Sequence, residues 1–334
     1  MGNIYQSDPW AIFERALGNT VFQRSGDNWA YLAVLRSGMG WRYLHCPHGP
    51  DVNTVEEFDA ALADLRQIAR TENCWFIRVE PPLGSGLSRA RESTQEALRH
   101  RGLRRAPHDA LPEYTQIIDL TRDENDILQD MDGHNRKRYR NIHKKGVTFT
   151  DSTDPKDIEL LIPILDAIAQ RHGYVRKQND YLRTVAQVLM PFGVARLYIA
   201  WLAEKVLEVT LVYDWEGTRI QAYGGMDYEH RKLNAGNAQT VRMILEAKKL
   251  GLAQFDLGGI APEDAGPDHP WSGFTKFKKS FGGRSESCLG SWDLPIHRLR
   301  YAIFPSLFAV RYRYALVRSK VAHLLTRTTR ATGF

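Results

Sequence analysis

Cysteine is nearly absent from the 334 residues: Cys46, Cys74 and Cys288 are the whole set, with no CxxC spacing. An odd, scattered trio supports neither a disulfide framework nor a zinc centre, so the three are expected to be small buried residues and no metal is expected. Long apolar runs are missing too. No stretch approaches the ~18 apolar residues of a membrane span, and the opening MGNIYQSDPW lacks the charge-then-apolar layout of a secretory signal. The expectation is a cytoplasmic protein. There is no GxSxG, no HExxH, no P-loop and no GxGxxG at a strand–helix junction, which argues against hydrolase, zincin and nucleotide-hydrolysing chemistry. The eleven histidines show no ligand spacing, and His172 and His230 lie among polar neighbours as surface residues.

Acid is missing from two places. GHNRKRYRNIHKKG, 133–146, carries six Lys/Arg and no carboxylate, and the forty-one residues after Asp293 carry eight Lys/Arg and none. Positive charge gathered this way suits a polyanionic partner: nucleic acid, a pyrophosphate-bearing substrate or an anionic membrane face. The remaining composition, 43% hydrophobic, 10% aromatic and 25% charged, is ordinary for a globular chain long enough for two domains.

Periodicity supplies the organisation. In 54–82, Val55, Phe58, Leu62, Leu65 and Ile68 recur at helical spacing behind a Thr54/Glu57 capping box, and a buried strand WFIRV follows, stopped by Pro81 and Pro82. Residues 234–259 repeat the plan: a helix closed at Gly251, then a short apolar strand ending in a Gly-Gly corner. Strand-like runs surround both copies, YLAVLR at 31–36, ARLYIAWLA at 195–203 and 205–225, the last with a hairpin turn at Asp214–Gly217. Two similar α/β halves are predicted, joined near 121–131, where YTQIIDL gives way to an Asp-rich helix start that continues into the basic run. The end of the chain, LRYAIFPSLFAVRYRYALVRSKVAHLL, is open to two readings: a helix docked on the first half with snorkelling arginines, or a membrane-surface segment.

The segment 231–236, RKLNAG, resembles the R/Q-x-x-G-x-G/A loop with which acetyl-CoA transferases cradle pyrophosphate at a helix N-terminus. Asn234 stands where the first glycine belongs and would obstruct close backbone approach. The expected donor is therefore not acetyl-CoA, and no cofactor is expected.

Several segments, in order along nearly the whole chain, resemble the Fem (FemABX) aminoacyl-tRNA-dependent peptidyltransferases. These are QSDPWAIFERALG at 6–18, YLHCPHGP at 43–50, FIRVEPP, NRKRYRNIHKKGV at 135–147, QRHGYVRKQNDYL at 170–182, and FDLGGI with FTKFKKSFGG. The resemblance implies an α/β (α+β) tandem of two acetyltransferase (GNAT)-like domains without the coiled-coil arm of some members. The first would comprise 1–120 with the returning tail 290–334, and the second 121–289. It implies transfer of an amino acid from aminoacyl-tRNA, as co-substrate, onto an amine of a UDP- or lipid-linked peptidoglycan precursor, by a monomer in the cytoplasm or at the inner membrane face. The same chemistry directed at a peptide or nucleoside antibiotic precursor is the alternative. A catalytically silent basic module for RNA or membrane is a third reading.

The family's catalytic pair falls on Phe277 and Lys278. An aminoacyl ester is already activated, so a cation beside the oxyanion and good positioning are what the enzyme must add. The acceptor-binding Arg and Tyr fall on Lys177 and Tyr181, with Arg176 adjacent, and the Tyr of a second-domain strand falls on Tyr223. Where some members have a lysine in the N-terminal helix, this chain has Glu14 and Arg15, and Arg15 is the expected substitute. Phosphate contacts with tRNA are expected from Arg136, Lys137, Arg138, Arg140, Lys144 and Lys145, with Lys276 and Lys279 nearer the acceptor stem.

Overall fold

The computed structural model of the chain describes residues 3–38, 40–83 and 88–331. The first lobe begins with α1 (Asp8–Ala16), whose N-terminus is capped by the Ser7 hydroxyl accepting from Trp10 N at 3.3 Å. It continues through β1 (Thr20–Ser25), β2 (Ala30–Gly38), β3 (Trp41–Cys46), α2 (Val55–Thr71), β4 (Phe76–Val79), α3 (Ser88–His100) and β5 (Arg104–Arg105). After β6 (Tyr114–Asp119) come α4 (Glu124–Asp130), α5 (Gly133–Asn141), β7 (Val147–Ser152), α6 (Ile158–His172) and α7 (Asn179–Leu189). β8 (Ala195–Leu202), β9 (Lys205–Trp215), β10 (Thr218–Met226), α8 (Ala235–Lys249), β11 (Gln254–Gly259), α9 (Ser272–Lys279) and β12 (Arg284–Ser287) complete the second lobe. The chain closes with β13 (Trp292–Pro295) and α10 (Arg298–Ala331).

The strands form two sheets, ordered β1-β2-β3-β4-β13-β5 and β12-β6-β11-β10-β9-β8-β7. Each holds one parallel pair, β3 with β4 and β10 with β11, bridged by a crossover helix, α2 or α8. These are the two helix-then-strand copies visible in the sequence. α2 starts on the Thr54/Glu57 capping box, and Gly251, at φ +77°, follows α8. β9 and β10 join through Glu216 and Gly217, both at positive φ, the two-residue turn whose twist suits a hairpin.

The lobes exchange strands. β13 inserts between β4 and β5 of the first sheet, while β6 inserts between β11 and β12 of the second. A division after residue 120 therefore has to move. β6 lies before that point but pairs only in the second sheet, because its partners β11 and β12 are far ahead in the chain and leave no local trace. The two crossings run side by side: Ala106 N donates to Ser291 O at 2.9 Å, Ser291 N to Asp109 Oδ1 at 2.7 Å, and Cys288 N to Glu113 O at 2.9 Å. Gly290 sits in this knot at φ +68°, where a Cβ would lie 2.3 Å from the Arg105 guanidinium.

The core that joins the lobes mixes Ile4, Trp10, Phe13, Leu32 and Val34 with side chains of α6, α7, β8 and β9. Two helix boundaries differ from expectation. The basic run does not continue α4. The chain breaks at Met131, which is buried, and restarts as α5 at Gly133. Cys46 and Cys74 are buried, Cys288 is half-buried, and all three are free thiols.

The tail docks on the first sheet. Tyr301 and Phe304 are buried with Trp41, Trp75 and Phe76, and Phe308 stacks on His108 with ring centroids 4.4 Å apart. Under this contact Asp293 of β13 takes two hydrogen bonds from its register partner Arg78 of β4, at 2.7 and 2.9 Å, and one from the Tyr301 hydroxyl at 3.1 Å. Both charges are fully buried. Removing one partner strands the other without solvent. Asp293→Ala is therefore expected to lower the unfolding free energy by about 3–5 kcal/mol, read from urea denaturation; a loss below about 1 kcal/mol would mean the pair behaves like a surface bridge.

Candidate active site

A cavity of about 620 Å³ opens between the lobes. α1 and β2 line one side of it, α7 another, and the parted ends of β10 and β11 its base. The parting has a local cause. β10 and β11 are in register from Thr218↔Gln254 to Ile220↔Asp256 only. Beyond that, β10 shifts register between Gln221 and Tyr223 against β9, and β11 shifts between Asp256 and Gly259 against β6. Gly258 makes this corner at φ +81°. A Cβ there would lie 3.2 Å from Gln221 O and 3.4 Å from the Lys278 ammonium, in a backbone region that side chains rarely adopt.

Lys278 reaches the cavity base from α9 and donates to Gly259 O at 2.7 Å. Helical spacing explains its placement. Phe277 and Phe281, four residues apart, turn inward and meet edge to face at 5.0 Å in the core below α8. Lys278, one position on, is thereby swung towards the cavity, while Lys276 and Lys279 stay exposed. Phe277, expected at the reacting end, instead packs in the core and supports the lysine; it does not line the cavity. Burial lowers the Lys278 ammonium to about 8 against the pull of Asp256, and burial raises the Asp256 carboxyl to about 6 even though it accepts from Gly258 N at 2.7 Å.

The opposite end of the cavity is cationic. Arg36 of β2 makes a two-pronged pair with Glu14 at 2.7 and 2.9 Å, and Asn19 donates to the same carboxylate at 2.8 Å. Lys177 lies 4.8 Å from the centre of the Tyr181 ring; burial and then Arg36 lower its ammonium, partly offset by Glu14. Tyr181 and Tyr223 both line the cavity, their rings 6.4 Å apart, and burial raises both phenols so that they stay neutral.

Two expected binding residues are elsewhere. Arg15 is exposed and donates to Gln23 at 3.0 Å. On α1 the buried face carries Trp10, Phe13 and Glu14, so the next residue turns away by about 100°. Arg36 supplies the cation in its place, and the sequence signal was a lone arginine closing an apolar strand. Arg176 does not line the cavity: it binds Asp166 of α6 and Asn179 at the start of α7, clamping the two helices.

Sequence reasoning missed part of the wall. Tyr5, Trp10, Tyr213, Gln221, His45, His48 and Asp256 all line the cavity. Among the described residues, Trp10 Nε1, Tyr213 OH and Gln221 Oε1 are buried without a hydrogen-bond partner. Each such group costs about 1–3 kcal/mol when left unmade. Behind His45 and His48, burial pushes the Glu80 carboxyl up, but those histidines and Ser291 outweigh it and draw it down to about 2.

The basic residues divide. Arg136 donates to the carbonyls of Leu128, Gln129 and Met131, so it caps the end of α4 rather than standing ready for phosphate. Lys137, Arg140, Lys144 and Lys145 are exposed and Arg138 is half-buried. Asn135 donates to Ser280 O and Oγ at 3.0 and 2.8 Å, and Asn237 of α8 donates to Asn135 at 2.8 Å. These bonds fasten the basic α5 to the end of α9, beside Lys276 and Lys279. Asn234 takes φ +57° just before α8, with its amide on Lys232 O at 2.8 Å.

Residues 203–307 match the model of the FemAB family. Over 170 residues the chain is 21% identical to the lipid II:glycine glycyltransferase of Staphylococcus epidermidis, a match spanning 50% of this chain and 41% of that protein. The chain thus spans well under half the length of the curated relatives it matches. A crystal structure of FemX superposes with a TM-score of 0.78 at 16% identity, covering 90% of this chain and 94% of that one. A tandem GNAT protein from the clavulanic acid biosynthesis pathway gives a TM-score of 0.51 at 15% identity, covering 86% and 88%. The fold is that of two GNAT-like lobes in tandem, and the segment that carries Tyr223, Asp256 and Lys278 lies within the residues that match the FemAB family model.

Proposed function

We propose that this protein transfers an amino acid from aminoacyl-tRNA onto an amine of a peptidoglycan precursor, in its UDP-linked or lipid-linked form. The observation that carries the reading is the Lys278 ammonium, seated on Gly259 O where β10 and β11 part, with the charge of the half-buried Asp256 acting on it. The reaction is aminolysis of an ester. The acceptor nitrogen attacks the aminoacyl carbonyl carbon, the bond to the ribose oxygen breaks, and the proton lost by the amine ends on that oxygen. Negative charge gathers on the carbonyl oxygen in between, and an oriented cation there is worth about 3 kcal/mol. Asp256 helps to keep Lys278 charged.

At the other end, Lys177 and Arg36 offer positive charge to the precursor's phosphates, Lys177 as a point charge rather than a bidentate fork. The tRNA backbone would lie over Lys137, Arg140, Lys144, Lys145, Lys276 and Lys279. On this reading no thiol coenzyme takes part: the side chain of Asn234 occupies the position where a pyrophosphate cradle needs glycine, and the donor ester arrives already activated. The glycyltransferase activity of the staphylococcal relatives on lipid II supports the choice of acceptor.

The test is transfer of label from a radiolabelled aminoacyl-tRNA pool to muramyl pentapeptide or its lipid-linked form. RNase-sensitive label on the precursor is the expected result. Label on another small molecule from a metabolite extract would redirect the reading to a peptide or nucleoside acceptor, and no RNase-sensitive transfer at all would end it. Lys278→Met should lower kcat about a hundredfold, in line with the ~3 kcal/mol of a lost oxyanion contact, with tRNA affinity unchanged; wild-type kcat would remove the residue from the chemistry.

Activity should also fall on the alkaline side. Lys278 must be protonated, so the rate falls as pH rises through about 8. The charge of Asp256 raises the Lys278 value, so Asp256→Asn should move this limb to lower pH, whereas a limb that stays at the wild-type pH would show that another group titrates.

A further inference from the structure

The tail helix α10 docks by one face and leaves another uncovered. Leu299, Ile303, Val310, Tyr314 and Val317 are each between 52% and 86% exposed. On a helix of 3.6 residues per turn these five fall within an arc of about 60°. Tyr301, Phe304 and Phe308, which hold the helix to the body, lie on the other side. Arg300 and Arg311 border one edge of the exposed row, and Arg313 borders the other. From Arg311, whose guanidinium still lies 5.3 Å from the Trp41 ring centre, the helix runs twenty residues further, about 30 Å. Among the described residues no helix is long and apolar enough to cross a membrane.

We propose that α10 is a membrane-surface helix that lies on an anionic lipid face, its apolar row in the acyl boundary and its arginines at headgroup level. An apolar stripe with basic residues on both edges suits that position better than the alternatives. A second copy of the helix would set row against row and bring like charges together, since the chain from residue 294 onward has eight Lys/Arg and no acid. RNA would satisfy the arginines but leave five apolar side chains in water. The proposal goes beyond the reaction and stands independently of which donor and acceptor the cavity takes.

Vesicle flotation of the whole protein tests it. Binding to phosphatidylcholine vesicles containing phosphatidylglycerol is expected, at least about tenfold tighter than to phosphatidylcholine alone. The triple variant V310S/Y314S/V317S, changed only at exposed positions, should lose at least about tenfold on the anionic vesicles with its Tm unchanged. As a second reading, an environment-sensitive dye on V317C should shift to the blue on anionic vesicles, relative to unsubstituted protein carried through the same labelling. Four results would each overturn the proposal: no preference for anionic vesicles, a triple variant that binds like wild type, no spectral shift at residue 317, or a triple variant that loses only self-association or tRNA retention while vesicle binding persists.

Discussion

The double crossing between the lobes is the constraint from which the remaining geometry follows. The chain passes from the first lobe to the second through 106–113 and returns through 288–291, and the two passages are hydrogen-bonded to one another around Ser291. Each passage delivers a strand into the far sheet, β6 into one and β13 into the other. Neither sheet is complete without the other half of the chain, so the lobes are held in a fixed relation and the cleft between them exists before any ligand arrives. Ser291 adds a further link: its hydroxyl donates to Glu80, whose carboxylate also accepts from His48 N on the cavity wall.

That cleft holds its charges in opposed sets rather than singly. Glu14 answers Arg36 and moderates Lys177, and Asp256 answers Lys278. Burial disfavours the charged forms of Lys177, Asp256 and Lys278, and the neighbour of opposite sign restores part of each. The outcome is a lysine and a carboxylate that titrate within reach of neutral pH, whereas Arg78 and Asp293 under the tail are paired too closely and buried too deeply to serve as anything but a fastener. The same physical terms thus yield a pair that titrates near neutral pH where the strands part and a structural pair where they stay in register.

Much of the fold was legible because its signals are local. A capping box, a helix-closing glycine, a positive-φ hairpin turn and alternating strands each occupy a few residues, and all of these are found where expected. The strand exchange was not legible, since β6 looks like any strand preceding a boundary and only its distant partners decide its sheet. At the site, residue type was the wrong guide where helix face decides. Arg15 has the expected charge but sits one position past the buried stripe, so Glu14 enters the cavity and Arg36 comes from another strand. Arg136 is drawn off by the free carbonyls of α4. Trp10, Tyr213 and Gln221 were not singled out in the sequence as site residues, and only their place on the cavity wall marks them.

The parting of β10 and β11 shows how little sequence is needed to turn a sheet into a site. A parallel pair stays in register for three residues and is then released by a shift on each side. Gly258 takes the left-handed turn that a side chain would resist, and Gly259 offers its carbonyl oxygen to a lysine rather than to the neighbouring strand. An ammonium that would otherwise be hydrated is then held by one fixed oxygen. Lys278 stands at the cavity base because the sheet withholds the hydrogen bond that would have closed the gap.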